Sequence, residues 1–193
     1  MSRFLTLSTR FASTVALSTL LSGCSDDADA RYPTLYQHAV ETTAAHAVPA
    51  DAAQRFVAFF ESLDRPGVTD RVVELYASPL YFSDTLMVTD DRAALARHFE
   101  RLHARGAHID VSLYDALVGA NGDLYLRWRM SVRLRGDPTT AAATIGMTQL
   151  RFDETGRISL QQDFWDSAEG VYRRIPLLGS ALRFVDARIA AEP

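Results

Sequence analysis

The strongest constraint on the fold is a twelve-residue stretch, 124–135, in which apolar and polar side chains alternate. Every even position is apolar, and the odd positions are mostly arginine; the apolar set is Leu124, Leu126, Trp128, Met130, Val132 and Leu134. A period of two places these side chains on one face of a β-strand. Asn121-Gly122 just before the stretch is a hairpin turn signal. We therefore predict that 108–118 pairs antiparallel with 124–135.

Three more strands and several helices complete the predicted α+β architecture. Strands are expected at 80–82, 141–152 and 157–165, with turn residues between the last three long strands. Helical spacing and capping residues predict three preceding helices, which are 49–63, a short one from about Thr69 to Pro79, and 89–105. We expect a strongly curved antiparallel sheet with these helices over its concave face, which makes a cone with an internal cavity. A C-terminal amphipathic helical tail, 167–193, follows the cone domain, 49–166.

The start of the chain has the pattern of an export signal. Arg3 and Arg10 precede an uncharged run, 11–22, that is too short to cross a bilayer, which needs about 20 apolar residues. Leu21-Ser22-Gly23-Cys24 resembles the lipobox of bacterial lipoproteins, and Cys24 is the only cysteine of the chain. The resemblance implies a signal peptide at 1–23 and a membrane anchor of acyl chains such as palmitate on Cys24. The residue after Cys24 is Ser25 rather than Asp, and by the same resemblance this favours the periplasmic face of the outer membrane over the inner membrane.

Residues 24–48 are polar and weakly periodic, which predicts a flexible tether.

The composition of the chain excludes several classes of function. The net charge is −4, and it becomes −6 without Arg3 and Arg10, so nucleic acid is not an expected partner. All 20 basic residues are arginine, which excludes Schiff-base chemistry on a lysine and a phosphate-binding loop that ends in lysine. The five histidines lack metal-ligand spacing, and we predict neither a metal nor a cofactor.

Three short motifs and the order of the elements suggest a family. The motifs are Tyr81-Phe82-Ser83-Asp84, Gly146-Met147 with the segment 150–158, and Asp163-Phe164-Trp165-Asp166. Over about 51–166 the chain resembles the nuclear transport factor 2-like superfamily, and within it the SnoaL-like group. This resemblance implies the cone fold, whose members include cyclases, isomerases, dehydratases and binding modules.

The resemblance also implies that the strand face holding Asp163 and Trp165 lines the cavity. The predicted pocket is mainly aromatic and methionine-bearing, with a few polar groups that orient a ligand. Its members are Tyr81, Phe82, Trp128, Met130, Met147, Gln149, Gln161 and Trp165, together with the candidate catalytic residues Asp163 and Asp84. Gln161 stands where many family members have a histidine two residues before the strand-end Asp, so the family's histidine is replaced by a group that cannot titrate.

Three functions remain open from the sequence. The first is binding of a small apolar or amphipathic molecule at the cell envelope. The second is an isomerase, cyclase or dehydratase in which Asp163 acts as general acid–base. The third is a protein-interaction module in which the sheet or tail forms a homodimer face. A purely structural role for the acids is also open. Asp163 and Asp166 could pair across the sheet with an arginine, which would be Arg127, Arg129 or Arg151. Asp166 could instead cap the next helix, and Asp84 could shape a turn.

Overall fold

A computed structural model of the chain describes residues 31–136, 142–175 and 177–190. The predicted signal peptide and Cys24 lie outside these residues. The helices are α1 Arg31–Thr42, α2 Ala52–Glu61, α3 Val68–Leu75, α4 Arg92–Ala104, α5 Ser167–Gly170 and α6 Leu178–Ala190, with a 3-10 turn at Tyr172–Arg174. The strands are β1 Tyr76–Ser83, β2 Val88–Thr89, β3 His108–Val118, β4 Leu124–Arg133, β5 Ala142–Phe152 and β6 Ile158–Trp165.

The strands form one curved sheet in the order β2-β1-β6-β5-β4-β3. β1 runs parallel to β6, and every other neighbouring pair is antiparallel. The predicted α+β fold is confirmed, including the antiparallel meander from β3 to β6. In this register Gly146 lies between Trp128 and Trp165, and a Cβ on Gly146 would stand only 2.4 Å from the Trp128 ring. A residue without a side chain is therefore needed here for the two indoles to lie side by side.

The main core lies between the concave face of the sheet and helices α2, α3 and α4. Helix α2 buries Phe56, Phe59 and Phe60, which share one helix face because they are three and four residues apart. Phe59 meets Phe99 of α4 edge to face at a centroid distance of 4.9 Å. Trp128 is 3% exposed on the sheet side of this core. The prediction that the apolar even positions of β4 share one face is confirmed, and this face lies toward the helices.

The prediction of a flexible tether is wrong for residues 31–42, which form α1 on the outer face of the sheet. Ala39 of α1 packs against Tyr81 and Leu160. The Arg151 guanidinium donates hydrogen bonds to the carbonyl oxygens of Val40, at 2.7 Å, and of Thr43. The apolar residues of this segment are only weakly periodic, so the sequence did not predict helix α1. The helix is held in place by Arg151, a buried residue more than a hundred positions away. The predicted tether residues 24–30 lie outside the described part of the chain.

The C-terminal tail is helical, but it is not broken at Gly179, which lies in helix α6. Helix α6 packs on the 3-10 turn, where Arg173 forms an ion pair with Asp186 at 2.6 Å. Phe184 and Ile189 of α6 remain exposed. Across the described ranges, none of the helices combines the length and the apolar character that a membrane span requires.

Candidate active site

A cavity of about 370 Å³ lies between the concave face of the sheet and the helices. Its wall is mostly apolar, with one aromatic residue, Trp128, from the middle of the sheet and another, Phe99, from α4. The residues that line it are Phe60, Asp84, Leu86, His98, Phe99, Leu102, Arg105, Ile109, Trp128, Met130, Val132, Leu134, Thr144, Asp163, Trp165, Gly170, Val171 and Arg174. A mainly apolar cavity with a few convergent polar groups is typical of a small-molecule site.

Asp163 is the most deeply buried acid on this wall, with 7% of its surface exposed. Thr148 lies opposite on β5, and its hydroxyl donates to Asp163 Oδ1 at 2.8 Å. The Thr148 oxygen in turn accepts a hydrogen bond from Trp128 Nε1 at 2.8 Å, so its own proton is directed to the carboxyl. Gln161 Nε2 donates to Oδ1 at 3.1 Å and more weakly to Oδ2 at 3.3 Å, while its Oε1 accepts from the Tyr76 hydroxyl at 2.8 Å. Oδ2 is therefore the carboxyl oxygen with the most unused acceptor capacity.

The environment of Asp163 favours its neutral form. Burial raises the pKa of Asp163 from 3.8 to about 7, the hydrogen bonds from Thr148 and Gln161 oppose that rise, and the nearby charge of Asp84 adds to it. Asp163 forms no ion pair with any described residue. Burial and the charges of Asp163 and Asp84 also hold the pKa of Tyr76 well above 10, so Tyr76 stays a neutral donor to Gln161. Near neutral pH, the carboxyl of Asp163 can therefore both accept and donate a proton.

Asp84 and His98 form a second polar group on the same wall. Asp84 Oδ1 accepts from the backbone N–H groups of Leu86 and Met87 at 3.0 and 2.7 Å, as in an Asx turn. Its other oxygen, Oδ2, lies 3.1 Å from His98 Nε2. Trp165 Nε1 donates to the Asp84 carbonyl oxygen at 2.8 Å and fixes the loop against β6. Asp84 thus shapes the turn and also fixes the orientation of the His98 ring through its contact with Nε2.

His98 is the polar site residue that the sequence reasoning missed. A signal was present, because Leu95, His98, Phe99 and Leu102 have the 0, 3, 4, 7 spacing of one helix face. Leu95 and Phe99 are buried, and His98 packs against Phe99 at a centroid distance of 5.3 Å. A histidine within an apolar helical stripe indicated that this side chain faces the interior of the cone.

The structure places most of the predicted site residues at or beside the cavity. Trp128, Met130 and Trp165 line it, as do both candidate acids. Phe82 is fully buried in the core, where its ring lies 6.4 Å from that of His98. Gln161 reaches the site through its hydrogen bonds to the Asp163 carboxyl.

The predicted placement of Tyr81, Met147 and Gln149 in the pocket is wrong, because all three face the outer side of the sheet. Thr148 lies opposite Asp163, so it is Thr148 that shares its face, and the side chains before and after it point away. Met147 is 38% exposed there. Gln149 accepts from the Tyr36 hydroxyl of α1 at 2.6 Å, and Tyr81 packs beneath the same helix.

The structural alternatives for the acids hold only in part. Asp166 caps α5 by accepting from Glu169 N at 2.9 Å. Asp163, in contrast, has no arginine partner among the described residues, since Arg151 pairs with Asp123 at 2.7 Å and Arg127 pairs with Asp115. The buried carboxyl of Asp163 is therefore not explained by an ion pair across the sheet.

Solved structures share this fold at low sequence identity. An LEH-like epoxide hydrolase from M. tuberculosis matches with a TM-score of 0.51 and 14% identity, over 73% of this chain and 94% of that chain. A hypothetical protein with a ketosteroid isomerase-like fold from Catenulispora acidiphila gives 0.52 and 16%, over 65% and 92% of the two chains. A putative SnoaL-like polyketide cyclase from Shewanella denitrificans gives 0.50 and 17%, over 63% and 94%.

No protein-family model matches the sequence, and no curated protein matches it. The similarity to solved structures shows the SnoaL-like, nuclear transport factor 2-like cone fold. Proteins described as an epoxide hydrolase and as a putative polyketide cyclase share this fold, so the chemistry must be argued from the site itself.

Proposed function

We propose that the cone is the active site of an isomerase, cyclase or dehydratase that transfers a proton on a small, mainly apolar molecule. The observation that carries this proposal is the Asp163 carboxyl, which lines an apolar cavity without a cationic partner and has a pKa of about 7. A carboxyl with that pKa accepts a proton at neutral pH and releases it again without a large barrier.

The proposed step is proton removal next to a carbonyl group. Asp163 Oδ2 takes the proton from carbon, the electrons of the C–H bond form the C=C bond of an enol or enolate, and the carbonyl oxygen receives the charge. The neutral Asp163 then returns the proton to another carbon for isomerisation, or to a departing hydroxyl for dehydration. Hydrogen bonds from Thr148 and Gln161 keep the carboxyl in one orientation throughout this exchange.

His98 supplies the second proton-exchanging group of the proposal. Its Nε2 contacts the Asp84 carboxylate, so the neutral ring carries its proton on Nε2 and its Nδ1 can accept a hydrogen bond from the substrate, while only a protonated ring can donate through Nδ1. Asp84 is a positioning residue in this scheme, because one oxygen accepts two backbone hydrogen bonds and the other contacts His98. Two titratable groups in different surroundings are the arrangement that general acid–base catalysis needs.

Binding without catalysis is the second candidate, and the mostly apolar wall favours it. The two functions separate in one experiment. Deuterium exchange next to the carbonyl is followed by NMR for a panel of cyclic ketones in D₂O. We expect Asp163→Asn to slow protein-dependent exchange by about 10²–10⁴-fold, while Asp90→Asn, an exposed acid on a loop, leaves it unchanged. If a ketone binds but exchanges no faster with the wild type than with Asp163→Asn, the binding function is favoured instead.

We also propose that the chain is a lipoprotein of the cell envelope, attached to the periplasmic face of the outer membrane through Cys24. The supporting observation is the single cysteine at the end of Leu21-Ser22-Gly23-Cys24. Helix α1 begins at Arg31, so Cys24 and the first residue of this helix are seven residues apart, or at most about 25 Å in an extended chain. Such an anchor would hold the cone close to the bilayer.

Metabolic labelling with a palmitate analogue, followed by membrane fractionation, tests the anchor. We expect the wild type to carry the label and to sediment with outer-membrane vesicles, whereas Cys24→Ala loses both properties. Label that persists in Cys24→Ala would contradict the assignment. Ser25→Asp tests the sorting, since we expect it to move the labelled protein to the inner membrane.

A further inference from the structure

The acidic and the basic residues of the cavity wall lie in different parts of the cavity. Its two acids, the half-buried Asp84 and the buried Asp163, lie with His98 in the region where Trp165 bonds to the Asp84 backbone. Its two arginines, Arg105 and Arg174, are exposed to solvent and therefore lie where the cavity opens. Apart from Asp84 and Asp163, no described residue on this wall carries a negative charge. The opening is thus positively charged although the net charge of the chain is −4.

Helix α4 sets the distance between the two ends. His98, Phe99 and Leu102 all line the cavity, and Arg105 follows at the C-terminal cap of the same helix. Seven residues separate His98 from Arg105, and a rise of 1.5 Å per residue places their backbones about 10 Å apart along the helix axis. The apolar side chains of Phe99 and Leu102 occupy the space between. The helix therefore presents a proton-exchanging group, an apolar stretch and a cation in that order.

The two arginines have no partner of their own in the described part of the chain. Among residues 31–136, 142–175 and 177–190, no ion pair or side-chain hydrogen bond involves either guanidinium, whereas Arg151 and Arg173 are paired. Arg174 comes from the 3-10 turn after Gly170 and Val171, which also line the cavity. Guanidinium groups are suited to bind a carboxylate, phosphate or sulfonate, and here two of them come from separate elements that line one cavity.

We infer that the molecule held in the cone is an apolar acid, whose anionic group lies at the opening beside Arg105 and Arg174 while its reacting carbon lies about 10 Å deeper, beside His98 and Asp163. This inference rests on the proposed function for its reacting end, but the anion-binding opening is a separate property of the same cavity. The anionic group anchors one end of the substrate and thereby fixes which carbon meets the carboxyl. The cationic opening also attracts anionic ligands, an effect that salt weakens.

The test compares two fluorescent probes that share one ring system, anilinonaphthalene sulfonate and neutral phenylnaphthylamine. The full chain is purified in dodecyl maltoside, and the detergent blank is the same for every variant. An exposed ion pair contributes up to about fivefold in affinity, so we expect Arg105→Gln with Arg174→Gln to weaken sulfonate binding about tenfold. Binding of the neutral probe should stay within twofold of the wild type, and salt should weaken the sulfonate complex of the wild type more than that of the variant.

Two further variants control this experiment. Arg101→Gln removes an exposed arginine of the same helix that does not line the cavity, and we expect it to change neither affinity. Arg105→Lys keeps the charge and should retain most of the sulfonate binding. Equal effects of the double variant on both probes, or an equal effect of Arg101→Gln on the sulfonate, overturn the inference and leave the proton-transfer function standing. If neither probe binds the wild type, the cavity is not a binding site, and both proposals fail.

Discussion

Replacement of the buried carboxyl by an amide, Asp163→Asn, tests the electrostatics of the site without a substrate. The folded protein binds the proton of Asp163 with a pKa of about 7, whereas the ordinary value is 3.8. Between these pH values the folded state keeps a proton that the unfolded chain has released. Raising the pH therefore favours the unfolded chain, so the stabilising contribution of the bound proton is complete below pH 3.8 and is lost as the pH rises through 7.

The size of the effect follows from the same two pKa values. The difference between about 7 and 3.8, at about 1.4 kcal/mol for each pH unit, corresponds to about 4 kcal/mol. The asparagine variant has no proton to lose at this position. Between pH 4 and pH 8 we therefore expect the free energy of unfolding of the wild type to fall by about 4 kcal/mol relative to that of the variant.

Urea denaturation of both proteins at half-unit pH intervals gives this difference directly. Titrating groups that do not interact with Asp163 contribute equally to both proteins and cancel in the subtraction. Asp90→Asn is the matched control, because Asp90 is exposed and its replacement should give a flat difference curve. A flat curve for Asp163→Asn as well would mean that folding does not change the pKa of Asp163, and a curve that rises with pH would mean that folding stabilises its carboxylate; either result would refute the argument.

Three further substitutions test other parts of the structure. Thr148→Val removes the donor to Asp163 Oδ1, so the pKa of Asp163 should rise further and the pH profile of ketone exchange should move to higher pH; a profile that stays in place contradicts this hydrogen bond. Arg151→Met leaves Asp123 buried without its cation, and urea denaturation should show a loss of about 3–5 kcal/mol in the free energy of unfolding; a loss below about 1 kcal/mol would count against the buried pair. Met147→Gln lies on the outer face of the sheet, so phenylnaphthylamine titration should give the wild-type affinity within twofold, and a larger change would place Met147 at the cavity after all.

The sequence was most informative where a single pattern determines a single face. The even positions of β4 place Trp128 and Met130 on the cavity wall, because alternation within one strand needs no knowledge of its neighbours. The family resemblance placed Asp163 and Trp165 on that wall as well. The relative register of two strands is different, since a slip of one residue exchanges the two faces. That slip explains why Met147 and Gln149 were assigned to the cavity when Thr148 is the residue opposite Asp163.

Long-range contacts account for the remaining errors. Residues 31–42 have little helical signal of their own, and their position depends on hydrogen bonds from Arg151 to two backbone carbonyls. Tyr81 was assigned to the cavity because the helix that covers it from the outside was not foreseen. The pairing of His98 with Asp84 joins two elements through side chains alone, and no local pattern encodes it.

The strongest argument for function is that the fold has no structural need for the charge of Asp163. Thr148 and Gln161 both donate to its carboxyl, and the amide oxygen of an asparagine could accept from the same two donors. A carboxyl at this position costs the folded protein about 4 kcal/mol once the pH exceeds 7, as derived above. The chain therefore contains a titratable group whose structural role a neutral residue could fill at no such cost. A group of this kind, placed on the wall of an apolar cavity beside a histidine, is best explained by proton transfer to a molecule bound there.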